Sequence, residues 1–559
     1  MKIPLSRSAP GHWQRNKLSH SVARSCLALA LGAATAPQAM ALSFELENGV
    51  TIDWDTTLTY DVQWRMEEPD NAILTQAPLN GLATDDGNRN FDKYDKTQNR
   101  LSFSTDLDVN YGDGGVFLRA RGWYDDVYND DSLSQEKALG SFDKPYQNDG
   151  IDIHKDDIEL LDAFVYHTFD LDERSLNLRV GRQVVNWGES LFINGGISSA
   201  QGPLDATKAN SPGVELKDIF LPIGQVYAEM DLTDVLSVGA YYQWEWEKTR
   251  LDAPGTYFNA LEVLGQEADG DSVPVLGGLG LTSTVDREEP DEGQFGVALR
   301  YLAEDLNNTE FGFYALRFND FAPTVNLVPS TLVPTPGVNL GDDNVHVTHF
   351  EDIEVYGASF GTVLGDTNVS GEFNYRDGQP VRLNTPGLFY YSEAETVQAQ
   401  LSLMHIFGES ALWDNLVVMG EIGHFRVLDL KDDARATALG VNLKDKKSAL
   451  HGNSPNSSGF VVRASADYFT IANGLDLKVT ATYRNDFDGI SPMIGGFTEG
   501  VEVLGLKADF TYTGGHSFGA SYTRFMHEPQ DIIDDQGSLQ IGHLTADRDN
   551  FALYYKYRF

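Results

Sequence analysis

Phe551-Ala552-Leu553-Tyr554-Tyr555-Lys556-Tyr557-Arg558-Phe559 closes the chain with an apolar or aromatic side chain at every second position. In an extended chain Phe551, Leu553, Tyr555, Tyr557 and Phe559 share one face, and Ala552, Tyr554, Lys556 and Arg558 share the other. An open strand with so greasy a face invites edge-to-edge aggregation in water. It is at ease only when both edges are paired and the aromatic face meets something apolar.

The same rhythm runs through the chain. Ile52, Trp54, Thr56, Leu58, Tyr60, Val62, Trp64 and Met66 alternate with Asp53, Asp55, Thr57, Thr59, Asp61, Gln63 and Arg65. A helix cannot sort these residues into two faces. No apolar run after residue 42 is long enough for a membrane-spanning helix. Segments of about ten alternating residues separated by turn residues are instead the pattern of transmembrane barrels. The alternation predicts strands over 51–66, 99–111, 115–125, 159–169, 175–185, 225–231, 235–246, 294–302 and 309–318. It continues over 353–364, 367–375, 394–406, 416–425, 459–469, 475–484, 502–512, 517–526 and 549–559.

The expected fold is therefore all-β: a transmembrane antiparallel β-barrel of about 18 strands (16–20), in one domain over residues 42–559. Short connections alternate with long ones, which places short turns in the periplasm and long loops outside. So wide a barrel cannot be filled by its wall side chains. Long outer loops are expected to fold partly into the lumen, with 186–224 and 247–293 as the candidates. Val214 to Leu221 is expected to form a short helix, and Ile219, Phe220 and Leu221 to pack inside the barrel or on another loop.

Residues 1–41 carry Lys2, Arg7, Arg15, Lys17 and Arg24, no acid, the apolar stretch Cys26 to Ala36 and then Ala39-Met40-Ala41. That is the pattern of a secretory signal peptide. The only cysteine, Cys26, lies within it, so the mature chain has no thiol chemistry. The whole chain has 41 basic against 83 acidic residues, which argues against nucleic acid as a partner. Acidic outer loops are candidate sites for Ca²⁺ beside anionic headgroups, although solubility and loop repulsion are the better explanation of any single acid.

Strand phase nominates the residues that face inward. Arg119, Arg121 and Asp125 alternate with outward Val116, Leu118, Ala120 and Tyr124, and Arg179, Gly181 and Gln183 alternate with Leu176, Leu178 and Val180. Asp55, Asp106 and Asp108 fall inward on the first two strands. Arg119, Arg121, Arg179, Gln183, Asp55, Asp106 and Asp108 are thus the lumen or constriction candidates. Charged rings set selectivity in pores; salt bridges bracing the wall are the favoured alternative.

The aromatic C-terminus, with Tyr555, Tyr557 and Phe559, resembles the closing strand and assembly signal of Gram-negative outer-membrane barrels. Gly181-Arg182-Gln183-Val184-Val185-Asn186-Trp187-Gly188-Glu189-Ser190, together with Pro212-Gly213-Val214-Glu215, Trp244 to Arg250 and Gly255-Thr256-Tyr257-Phe258, resembles the domain of unknown function 1302 family. The motif residues are Gly181, Arg182, Gln183, Trp187, Gly188, Glu189, Pro212, Gly213 and Glu215. The resemblance implies a bacterial outer-membrane location among lipid and lipopolysaccharide, and insertion by the barrel-assembly machinery. It also implies a periplasmic lipid-binding-like partner and an inner-membrane permease, and cargo that is hydrophobic or amphipathic. Family members carry a basic pair before the Pro-Gly, where this chain has Ala209-Asn210-Ser211.

No enzyme is expected. Gly357-Ala358-Ser359-Phe360-Gly361 fits G-x-S-x-G but lies within a strand, without the sharp turn that exposes such a serine. His346 and His349 lack a third ligand at a defined spacing, and Asp85-Asp86-Gly87-Asn88 and Asp531-Asp534-Asp535 do not match a twelve-residue Ca²⁺ loop. No cofactor is expected. The functional expectation is an outer-membrane channel or transport component for hydrophobic or amphipathic small molecules. The alternatives are a general porin for small hydrophilic solutes or a plugged structural or adhesive protein.

Overall fold

The computed structural model describes residues 42–47, 49–70, 73, 86–129, 153–172, 174–253, 255–259, 272–276, 281–284, 286–287, 290, 293–327, 345–385, 390–529 and 543–559. Residues 1–41, where a leader is expected, Asp85 and the acidic stretch from Asp531 lie outside them.

Eighteen strands form the wall. They are β1 (Val50–Arg65), β2 (Lys96–Tyr111), β3 (Gly114–Asp125), β4 (Asp156–Leu171), β5 (Arg174–Gln183) and β6 (Ile223–Thr233). Then come β7 (Leu236–Gln243), β8 (Gln294–Ala303), β9 (Thr309–Phe318), β10 (Ile353–Leu364), β11 (Thr367–Arg382) and β12 (Tyr391–Phe407). The last six are β13 (Asn415–Leu430), β14 (Asn456–Ala472), β15 (Leu475–Asp488), β16 (Glu502–Tyr512), β17 (His516–Phe525) and β18 (Asn550–Arg558). Each pairs antiparallel with its neighbour, and β18 pairs back onto β1 from Thr57↔Arg558 to Arg65↔Asn550. Phe559 completes the seam through two backbone hydrogen bonds with Thr56, at 2.7 and 2.9 Å.

Every expected strand is present; 309–318, 353–364 and 502–512 match at both ends and the others shift at one end or both. β11 runs on to Arg382, past a Gly378-Gln379-Pro380 run that reads as a turn. A bulge absorbs it: Gly378 sits at φ +94°, the register slips between Asp377 and Gln379, and pairing with β12 resumes. A short additional strand, Leu42–Glu45, pairs with Thr51–Trp54 of β1 and continues the seam below Phe559. Only β1 pairs with it among the described residues, so its other edge stays open at the short-turn end.

Large apolar side chains stand exposed on the outer face: Trp54, Tyr60, Phe313, Tyr356, Phe373, Leu401, Leu403, Leu506, Leu553 and Tyr555 among them. Their inward neighbours Asp61, Gln63, Glu372, Asn374, Gln398 and Gln400 are buried. Apolar outside and polar inside is the reverse of a water-soluble fold and the arrangement of a lipid-embedded wall. Rings cluster at the short-turn end, where His516 stacks on Tyr557 at 4.6 Å and bonds the Tyr555 hydroxyl at 2.7 Å.

The seam register is testable. With Cys26 replaced by Ser, the double variant Tyr60→Cys/Tyr555→Cys joins directly paired positions and should oxidise to an intramolecular disulfide that locks the barrel against heat unfolding on a denaturing gel. Tyr60→Cys/Tyr557→Cys, one step out of register, should cross-link far less; equal cross-linking of both pairs would refute the register.

Candidate functional site

Residues 184–222, between β5 and β6, fold into the lumen. Their first half is held by wall carboxylates that accept backbone N–H groups. Glu372 on β11 accepts from Glu189 at 2.6 Å and from Ile197 at 2.9 Å. Glu421 on β13 accepts from Leu191, Phe192 and Ile193 at 3.0, 2.6 and 2.8 Å. Arg376 donates to the carbonyls of Gly195 and Gly196 and to Ser199 Oγ, and Gln398 and Gln400 donate to the carbonyls of Asn194 and Ile193. Gly188 makes the approach possible: it sits at φ +97°, and a Cβ there would lie 2.5 Å from the Glu372 carboxylate. Trp187 anchors the start of the loop in an aromatic nest of Tyr227, Tyr241 and Tyr314.

The second half is fixed to the opposite arc of wall by buried charge. Asp205 pairs with Arg121 and, at 3.6 Å, with Arg250; Arg121 and Arg250 also share Glu159. Lys208, Arg121 and Arg250 together hold the Asp205 carboxyl well below the usual range, against a burial penalty that is the largest single influence. Lys208 lies on the face of Trp123, its Nζ 3.7 Å from the ring centroid, and burial lowers its amine to about 7. Leu216–Asp218 forms a single 3₁₀ turn, shorter than the helix expected over 214–221, and Leu221 is buried. Glu215 reaches Lys556 at 3.0 Å, and Pro212-Gly213 lies against Tyr554 with Gly213 at φ +68°.

The expected lumen residues fall inward, but most serve to brace. Arg119 forks onto Asp106 at 2.8 Å and reaches Asp162 at 3.2 Å. Asp108 accepts from the Tyr166 hydroxyl, and Asp55 pairs with Arg558 at 3.2 Å. Arg179 lies over Tyr227 and Phe164. Arg119 and Arg121 sit beside acids on neighbouring strands, and Arg121 also reaches Asp205 of the loop. Gln183 exchanges two hydrogen bonds with the Gln225 backbone and side chain. Arg182 points outward at the rim to Glu245 and the Pro222 carbonyl, and Gly181 is packed against Ala163 and Phe164. In the second candidate plug, Ala253 and Gly255 to Tyr257 are buried, Tyr257 fully so; most of 260–293 lies outside the described residues. Ser359 sits mid-strand, bonded to the Tyr314 hydroxyl. His349 bonds the Asp320 carbonyl, and among the described residues no three His, Cys, Asp or Glu converge as metal ligands.

A concavity lies elsewhere, between Ala209–Val214 of the loop and the wall of β13 to β18, with about 1320 Å³ of empty space open to solvent. Its wall was not singled out by the sequence. Register sorts the side chains into rows. The outermost is Arg463–Thr482–Gly505–Thr523–Asn550, the next Ser465–Thr480–Lys507–Ser521–Ala552, and the third Asp467–Lys478–Asp509–Gly519–Tyr554. Same-face neighbours on a strand are about 6–7 Å apart. Arg463, Lys507 and Lys478 thus form a staircase, one cation per row, among hydroxyls. Lys478 is tied to Asp467 at 3.3 Å and Lys507 to Asp509 at 3.0 Å.

A closed antiparallel cylinder, lipid-facing outside and narrowed by an inward loop, defines an outer-membrane β-barrel of porin-like architecture. The chain belongs to the family described as "Protein of unknown function (DUF1302)", the match extending over residues 22–559. No curated protein matches it. Among solved structures it is similar to OccAB1 of Acinetobacter baumannii, at 12% identity and TM-score 0.43, covering 93% of this chain and 99% of that one. OccAB4 of the same organism aligns at 10% identity and TM-score 0.42, over 91% and 98%. The outer-membrane channel DcaP of A. baumannii aligns at 11% and 0.36, over 92% and 99%.

Two outcomes follow from the loop's anchoring. Glu421→Ala strips the acceptor from three N–H groups, a loss on the order of 1–3 kcal/mol that falls on the loop and not on the strand ladder. Limited proteolysis should nick within 189–200 while the barrel keeps its heat-resistant gel mobility. Glu189 has its pKa raised to about 7, first by burial and then by Glu310 and Glu372. Its docked, neutral form is favoured fully below the ordinary carboxyl value and loses that advantage as pH rises through 7. Proteolytic nicking should therefore increase from pH 5 to pH 8, and Glu189→Gln should flatten the dependence.

Proposed function

We propose that this protein is a passive channel of the bacterial outer membrane for small hydrophilic solutes with a preference for anions, residues 184–222 forming its constriction. The observation that carries this reading is the staircase of Arg463, Lys507 and Lys478 set among Ser465, Thr480, Thr482, Ser521 and Thr523. Hydroxyls replace the hydration of a polar solute, and spaced cations give an anion successive stations that bind weakly enough to release. A wholly apolar solute gains nothing from this lining, so of the hydrophobic or amphipathic cargo that the family resemblance implies, only a solute with a polar or anionic end fits it. The chain performs no covalent chemistry in this reading. A periplasmic carrier of the kind the resemblance implies would take up what emerges at the short-turn end.

Purified protein in a planar bilayer under a KCl gradient should show open-channel conductance with a reversal potential of the sign for anion preference. Arg463→Gln/Lys478→Gln/Lys507→Gln should move that potential through zero toward cation preference, because Asp467 and Asp509 remain. Absence of conductance, or cation preference in the unaltered protein, would refute the reading.

A further inference from the structure

We propose that the passage holds a binding site for amphipathic monocarboxylates, with the carboxylate on Arg463 and the apolar body running past Phe192 into a cavity behind it. This deepens the channel reading above and rests on it. Of the three stair cations, Lys478 and Lys507 each have a carboxylate partner, whereas Arg463 has none among the described residues. Its Nε donates to Thr482 Oγ1 at 3.2 Å, and the guanidinium lies 4.7 Å from the Phe192 ring centroid. The terminal nitrogens make no hydrogen bond to the described residues, which leaves the planar fork that suits a carboxylate bidentately.

Phe192 is fixed for this role, since its backbone N–H is one of the three held by Glu421. Its ring also borders a second cavity, of about 490 Å³, lined by Ile193, Phe425, Val461, Met493 and Phe497. The charges on the cavity's far wall cancel: Arg484 forks onto Asp486 at 3.0 and 2.7 Å. Arg463 is therefore the cation left to recruit an anion, and the apolar lining favours a hydrocarbon or aromatic tail. A small acid without a tail gains only the guanidinium, and a neutral tail gains only the cavity. Released from Arg463, the carboxylate meets Lys507 and then Lys478 on the next two rows.

The test is block of KCl current by sodium octanoate, sodium benzoate, sodium acetate and octanol, each compared as a ratio within one protein. Octanoate and benzoate should block at concentrations at least about tenfold below acetate, and octanoate should exceed octanol by a similar factor. Phe192→Ala should abolish the advantage over acetate, and Arg463→Gln the advantage over octanol. Equal block by octanoate and acetate in a conducting channel would overturn the site and leave the channel standing. Should the protein not conduct, the channel reading fails, and calorimetric titration of the detergent-purified protein with octanoate decides the site alone. No saturable heat there would overturn it.

Discussion

Pairing of β18 with β1 is the constraint on which everything else depends. Within hydrocarbon no water can satisfy an unpaired backbone N–H or C=O, so an open edge there is forbidden and the sheet must close on itself. The seam from Thr57–Arg558 to Arg65–Asn550, finished by Phe559 on Thr56, meets that demand. Closure then dictates the two faces. Once the cylinder is shut, each odd or even set of side chains is committed to lipid or to lumen. A one-residue slip at the seam would carry Asp61 and Gln63 into lipid and Tyr60 and Val62 into water.

A wall of eighteen strands leaves a lumen far too wide for selectivity, and the inward loop divides it. The two halves of that loop are held by different physics. Glu372 and Glu421 act as acceptor caps for runs of backbone N–H groups, much as a carboxylate satisfies the start of a helix. Asp205 is instead held in a buried ion cluster with Arg121, Arg250 and Glu159. Such a cluster costs desolvation and adds little net stability, but it tolerates only one placement of the loop. The polar residues of β1 to β4 and of β10 to β13 are largely consumed in these tasks. What remains unspent is the arc of β14 to β17, and there the solute-facing cations lie.

That division of labour explains what the sequence could and could not reveal. Seven alternating pairs from Ile52 to Arg65 are a property of one strand and its own period, so the strands and their inward faces are readable without any partner. Arg119 and Asp106 are readable as inward too, yet their pairing depends on register between β2 and β3. Gly188 carried a signal as part of a motif, but its reason, the Glu372 carboxylate 183 residues from the next amide it holds, is a contact across the lumen. Arg463, Lys478 and Lys507 sit in the polar phase of strands predicted within a few residues of their true ends. Nothing local separates them from Arg119, because what differs is the open space that the folded loop leaves in front of them. The short Leu42–Glu45 strand escaped because four residues are too few to show a period.

The formal charge of −42 and a passage lined by cations are not in conflict. Net charge describes the whole molecule, while a solute within the constriction responds to charges within about 8 Å, the screening length at physiological ionic strength. Inside a wall of low polarizability that local field is also screened less than at an open surface. Of the acids that do reach the passage, Asp467 and Asp509 are each tied to a lysine, so they moderate the stair rather than reverse it. Moderation is useful in a channel, where an unrelieved trio of cations would hold an anion too tightly to let it leave. Arg463, outermost and without a carboxylate partner among the described residues, has the geometry for capture; Lys507 and Lys478, each softened by a neighbouring carboxylate, have the geometry for release.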